Sequence, residues 1–67
     1  MKITIWFRDG REPQSYETCN SNDWIDSSYD NSWYRVSRGN KNRSGTTADV
    51  YPIDLIQVIH EEHEADD

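Results

Sequence analysis

Trp33, Arg35, Arg38, Lys41 and Arg43 form the densest set of chemically capable side chains in the sequence, with Tyr34 beside them. Cations that grip phosphate, interleaved with rings that stack on bases, are the ingredients of single-strand binding. Residues 35–48 hold all four of these cations and no acid, a local charge of +4 inside a chain of net charge −6. A solvated hairpin tip is the ordinary fate of such a loop, and the overall charge repels a long nucleic acid at distance. A small anionic ligand, such as a nucleotide signal, is easier to accommodate, and a sponge sequestering one is an open alternative.

Carboxylates dominate elsewhere. Residues 1–34 carry six acids against three cations, and residues 49–67 carry seven acids with no Lys or Arg. Glu12, Glu17, Asp23, Asp26, Asp30 and Asp49 are spaced so that a stiff sheet could hold them as a negative surface. Such a surface can imitate a phosphate backbone and occupy a basic, nucleic-acid-binding groove on another protein, with fast steering and strong salt sensitivity. Trp6 and Trp24 are the expected aromatic anchors of this contact, because rings dominate interface energetics. The expected partner is a protein with a basic surface; no direct nucleic acid or membrane partner is expected. A homodimer or a plain assembly module stays open.

No catalytic constellation emerges. Cys19 is the sole cysteine and has no histidine near it in sequence, which excludes an intramolecular disulfide and a multi-thiolate zinc site. His60 and His63 lie among acids near the chain end, where ordering entropy opposes metal binding. There is no phosphate-cradling glycine loop and no Gly-x-Ser-x-Gly turn. The expectation is a non-enzyme with no metal and no cofactor.

The elements that must position these groups are short strands. Ile3, Ile5 and Phe7 alternate with Thr4, Trp6 and Arg8 before Asp9-Gly10, a hairpin signal. Residues 11–19 should return antiparallel, with Tyr16 as core anchor and Pro13 delaying the pairing. Residues 20–32 have the composition of a loop, with a short strand from Asp23 to Ser27 as the alternative. Trp33 to Arg38 alternates again, and Trp33 is assigned to the core. Gly39 to Gly45 is an apolar-free loop. Thr46 to Tyr51 is a β-branched strand, Pro52-Ile53-Asp54 a break through one 3₁₀ turn, and Leu55 to His60 the last strand, with Ile56, Val58 and Ile59 turned to the core. A helix over 53–64 is the competing assignment. It is opposed by the β-branched residues and by acids at its C-terminal end.

Sixty-seven residues with 33% apolar content allow one domain and a thin core, in which three Trp, four Tyr and one Phe must carry much of the burial. The expected organisation is a single all-β domain over 1–60 and an acidic tail over 61–67. Met1-Lys2 leads straight into the first strand with no apolar leader, and no run is long enough to span a bilayer, so a soluble cytoplasmic protein is expected.

The opening Ile3-Thr4-Ile5-Trp6-Phe7-Arg8-Asp9-Gly10 and the closing Pro52-Ile53-Asp54-Leu55-Ile56-Gln57-Val58-Ile59 resemble the two ends of very small phage and prophage proteins. The resemblance covers about a quarter of the chain and departs from the pattern over 20–45, where this chain is longer and more aromatic. It implies a small, highly bent antiparallel sheet or an SH3-like or Sm-like barrel of about five to six strands. In function it implies an inhibitor of a host defence protein, anti-CRISPR proteins included, acting in the host cell cytoplasm. It carries no functional residue with it.

Overall fold

The computed structural model describes residues 1–63. Six strands and one 3₁₀ turn follow in order: β1 (Lys2–Phe7), β2 (Gln14–Glu17), β3 (Asp23–Tyr29), β4 (Trp33–Asn40), β5 (Thr47–Pro52), the 3₁₀ turn (Ile53–Leu55) and β6 (Ile56–Glu62). The chain is all-β, as expected. The strands form two antiparallel three-stranded sheets, β2-β1-β6 and β3-β4-β5, and do not close into a barrel. The helix considered for 53–64 is absent. Only its first turn forms, and Ile56 onward pairs with β1 from Phe7 back to Lys2.

Alternation decides which side chains face inward. Ile3, Ile5 and Phe7 of β1, Tyr16 of β2, Tyr34 and Val36 of β4, and Ile56 of β6 are buried, and Met1, Ile25, Tyr51, Ile53, Leu55 and Ile59 pack around them. The first and last strands thus share one core. Ile56 and Ile59 are three residues apart, a spacing that would put them on opposite faces of a regular strand. A bulge reconciles them: Phe7 pairs with Ile56 and Trp6 with Val58, leaving Gln57 as the extra residue. Ile56 and Ile59 therefore both point inward, while Val58 turns out beside Trp6 and is half exposed, contrary to its expected core role.

Turn chemistry explains the other departures. The Asp9 carboxylate accepts from the backbone N–H and the guanidinium of Arg11, and Gly10 takes φ +80°, so the turn opens into a loop. β2 consequently starts only at Gln14, shorter than the return expected over 11–19. Asp30 makes the β3–β4 turn: its Oδ1 accepts from the N–H groups of Ser32 at 2.9 Å and Trp33 at 2.8 Å. That tight turn lets β3 run to Tyr29, well past Ser27. Asp23 ties three segments, accepting from the Cys19 N–H and from the Asn40 side-chain amide. The pairing of β4 extends to Asn40, so Gly39 belongs to the sheet.

Gly39 is there for space. A Cβ on it would lie 2.7 Å from the Trp24 indole, which lies across the backbone at this point. Gly39→Ala should destabilise the protein by about 1–3 kcal/mol through this clash, by analogy with overpacked sites. The same substitution in a Trp24→Ala background should cost much less, a non-additivity read directly from urea unfolding midpoints.

Candidate functional site

The register assigns every strand side chain to an inner or an outer face, and the sequence-nominated residues divide among three places. On the outer face of the β2-β1-β6 sheet, Lys2 lies opposite both Glu17 and Glu62, Thr4 opposite Ser15 and His60, and Trp6 opposite Val58. Trp6 is 39% and Val58 50% exposed. One end of this face is therefore acidic and the other apolar, about 14 Å apart along β1 at the usual strand rise. Lys2 makes no ion pair among the described residues, and Glu62 has only His60 within reach, at 3.9 Å.

On the outer face of the β3-β4-β5 sheet lie Trp24, Asp26 and Ser28 from β3, Trp33, Arg35, Ser37 and Gly39 from β4, and Ala48, Val50 and Pro52 from β5. Trp33 is 46% exposed. It does not enter the core as expected, because Tyr34 and Val36 hold the inward positions of β4. Trp24 is half buried over Gly39 and so is a weaker anchor than Trp6. An open hollow of about 490 Å³ lies along this face, lined by Ser28, Tyr29, Asp30, Trp33, Arg35 and Val50.

Between the sheets, the inner faces meet through a polar cluster. The Tyr16 hydroxyl donates to Asp49 Oδ2 at 2.7 Å and makes a short hydrogen bond with the Tyr51 hydroxyl. Arg38 donates to the same Asp49 oxygen at 3.0 Å, and its guanidinium sits over the Tyr16 ring, 5.0 Å from the centroid. Phe7 and Tyr51 pack ring to ring across the sheets at 5.4 Å. Burial, followed by the bonds to Tyr51 and Asp49, pushes the Tyr16 phenol well above its ordinary range. Burial likewise raises the Tyr34 phenol.

The six nominated acids thus do not form one continuous surface. Asp49 is spent between the sheets. Asp23 and Asp30 make turns, and their carboxyls are held below the usual range: Asp23 by the Asn40 amide and the Cys19 N–H, Asp30 by the N–H groups of Ser32 and Trp33. Glu17 and Asp26 stand on opposite outer faces, and Glu12 lies in the exposed β1–β2 loop. Sequence reading missed Glu62 as a sheet residue because it lies in a charge run; its pairing with Lys2 follows from β6 continuing two residues past His60. Residues 64–67 of the expected tail lie outside the described residues.

The five residues of the anion-binding alternative also separate. Trp33 and Arg35 share the outer hollow, whereas Arg38 and Arg43 line a second cleft of about 520 Å³ with Trp24 and Asp23. Lys41 lines neither. Arg38 is already neutralised by Asp49. Among the described residues no three His, Cys, Asp or Glu side chains converge as a metal site would require, and no helix is long and apolar enough to cross a membrane. No family model, no curated protein and no solved structure matches the chain.

The inter-sheet cluster has a pH signature. A phenol whose pKa rises on folding keeps its proton where the unfolded chain has lost one, so its stabilising effect is whole below about pH 10 and declines as pH climbs further. Tyr16→Phe should lower stability at neutral pH by about 1–3 kcal/mol and flatten the alkaline decline. Urea titrations at neutral pH and above pH 10 measure both; an unchanged alkaline slope would remove Tyr16 from the cluster.

Proposed function

We propose that this chain is a non-enzymatic, acidic binding protein that occupies a basic, nucleic-acid-binding surface on another protein through the outer face of its β2-β1-β6 sheet. The observation that carries this reading is the sharing of that face by an exposed Trp6–Val58 pair at one end and, about 14 Å along β1, the carboxylates Glu17 and Glu62 on either side of Lys2 at the other. A half-exposed indole on a rigid strand loses little conformational entropy on docking and supplies a large apolar contact. Two carboxylates at fixed spacing steer it toward lysines or arginines and set its register there. Asp23, Asp30 and Asp49 leave the nominated contact set because turns and the inter-sheet cluster use them, Trp24 and Asp26 because they stand on the other outer face, and Glu12 because it lies in the β1–β2 loop. Trp6 and Glu17 remain.

The setting, inhibition of a host defence protein by a phage-type product, rests on the resemblance of the two chain ends to small phage and prophage proteins. The net charge of −6 supports a basic partner over a nucleic acid. The nucleotide-sponge alternative has less behind it, because its cations are divided between two clefts.

The test uses immobilised protein and bacterial lysate at about 0.1 M and 0.5 M salt, which span strong and weak screening. Wild type should retain a basic protein at the lower salt and release it at the higher. Trp6→Ala and the pair Glu17→Lys with Glu62→Lys should each abolish retention with the fold intact by circular dichroism, and Asp54→Lys should not. Equal capture by all variants would overturn the assignment of this face.

A further inference from the structure

We propose that the outer face of the β3-β4-β5 sheet is the contact between two copies of this chain, related by a two-fold axis. Charge is the first reason. Asp26 and Arg35 are the only charged side chains that the register places on this face, and neither makes an ion pair among the described residues. Asp30, at the rim of the hollow, is held by two backbone N–H groups and lies near enough to Arg35 to feel its charge, without forming an ion pair with it. Two molecules of net charge −6 repel one another on approach. A face carrying one unpaired cation and one unpaired anion offers a neutral meeting surface. It is also self-complementary, as an isologous interface must be.

Register supplies the second reason. Asp26 lies opposite Ser37 on β4, and Arg35 lies two residues along the same strand. With strands about 4.8 Å apart and a rise of about 3.4 Å per residue, the two charges are diagonal neighbours about 8 Å apart. A two-fold axis in the sheet plane, set to place Asp26 of one copy over Arg35 of the other, passes close to Ser37 and Ala48. Their small side chains let the sheets approach. The same rotation carries Val50, 46% exposed, toward Trp24 of the other copy, which is flattened over Gly39. One operation therefore forms two Asp26–Arg35 pairs and covers Val50.

Size sets the strength. Three strands of six to eight residues make a face roughly 14 by 20 Å, less than the roughly 800 Å² per partner of a standard stable interface. Association in the range of tens to hundreds of micromolar is expected. The contact leaves the β2-β1-β6 face of each copy pointing outward, so it is independent of the partner-binding face.

Sedimentation equilibrium from about 10 µM to about 1 mM tests this directly, a range that brackets the weak regime. Wild type should pass from monomer to dimer across it. Asp26→Arg and Arg35→Asp should each weaken self-association by about tenfold or more, through like-charge contact. An equimolar mixture of the D26R and R35D chains should form a heterodimer at least as tight as wild type, and the D26R/R35D double variant should dimerise like wild type. Circular dichroism confirms that each variant is folded, and the mixture identifies charge pairing independently of any change in stability. A monomer at every concentration would overturn the proposal. So would single variants that associate like wild type, or a mixture no more associated than its components.

Discussion

Two small sheets must be held face to face by very little aliphatic material, and the contact between their inner faces governs everything else in this molecule. Phe7, Tyr16, Tyr34 and Tyr51 share that contact with Ile3, Ile5, Val36 and Ile56, and the rings with hydroxyl tips bring polar atoms to the seam. Tyr16, Tyr51, Asp49 and Arg38 resolve much of the difficulty together: the Tyr16 and Tyr51 hydroxyls find partners, the carboxylate accepts from both a phenol and a guanidinium, and the cation covers a ring, while the buried Tyr34 hydroxyl stays without a partner among the described residues. An unpaired polar atom at such a seam would cost more than its bond contributes, so the cluster stabilises as a unit.

That arrangement redistributes the charges. A carboxylate and an arginine that look from composition like parts of opposite binding surfaces neutralise each other within the fold. Asp9 and Arg11 do the same in the first turn. Asp23 and Asp30 organise backbone at the strand ends. The two outer faces differ in character: one carries Glu17, Lys2 and Glu62 at one end and an indole at the other, and the second is nearly uncharged with a tryptophan toward each end.

Much of the architecture was legible in the residues. The alternation of Ile3, Ile5 and Phe7 placed the first strand and its buried face, Tyr34 and Val36 fell on one face of the fourth strand, and Pro52 marked the corner into the last. Three local events were not legible. The Gln57 bulge inverts Val58 relative to simple alternation, which single-period reasoning cannot anticipate. Asp30 builds a turn tight enough to carry β3 to Tyr29, two residues beyond the short strand Asp23 to Ser27 that the composition allows. Trp33, expected in the core like most aromatics of a thin domain, faces outward because the strand parity that buries Tyr34 and Val36 leaves it on the other side. For the candidate site, Trp6 was visible from strand parity and Glu17 from its charge. Their sharing of a face with Glu62 depended on a long-range pairing between the two chain ends, and the engagement of the part-exposed Asp49 by Tyr16 and Arg38 depended on how one sheet stacks on the other.

The inter-sheet cluster is the claim on which the rest stands, and a double-mutant cycle between Tyr16→Phe and Asp49→Asn, measured by equilibrium urea unfolding, tests it most directly. The two side chains are 33 positions apart in sequence and meet only if the sheets stack as described. A coupling energy of about 1 kcal/mol or more is the expected result. Strict additivity, within about 0.3 kcal/mol, would mean that the two groups do not touch, and would contradict both the stacking and the division of charges built on it.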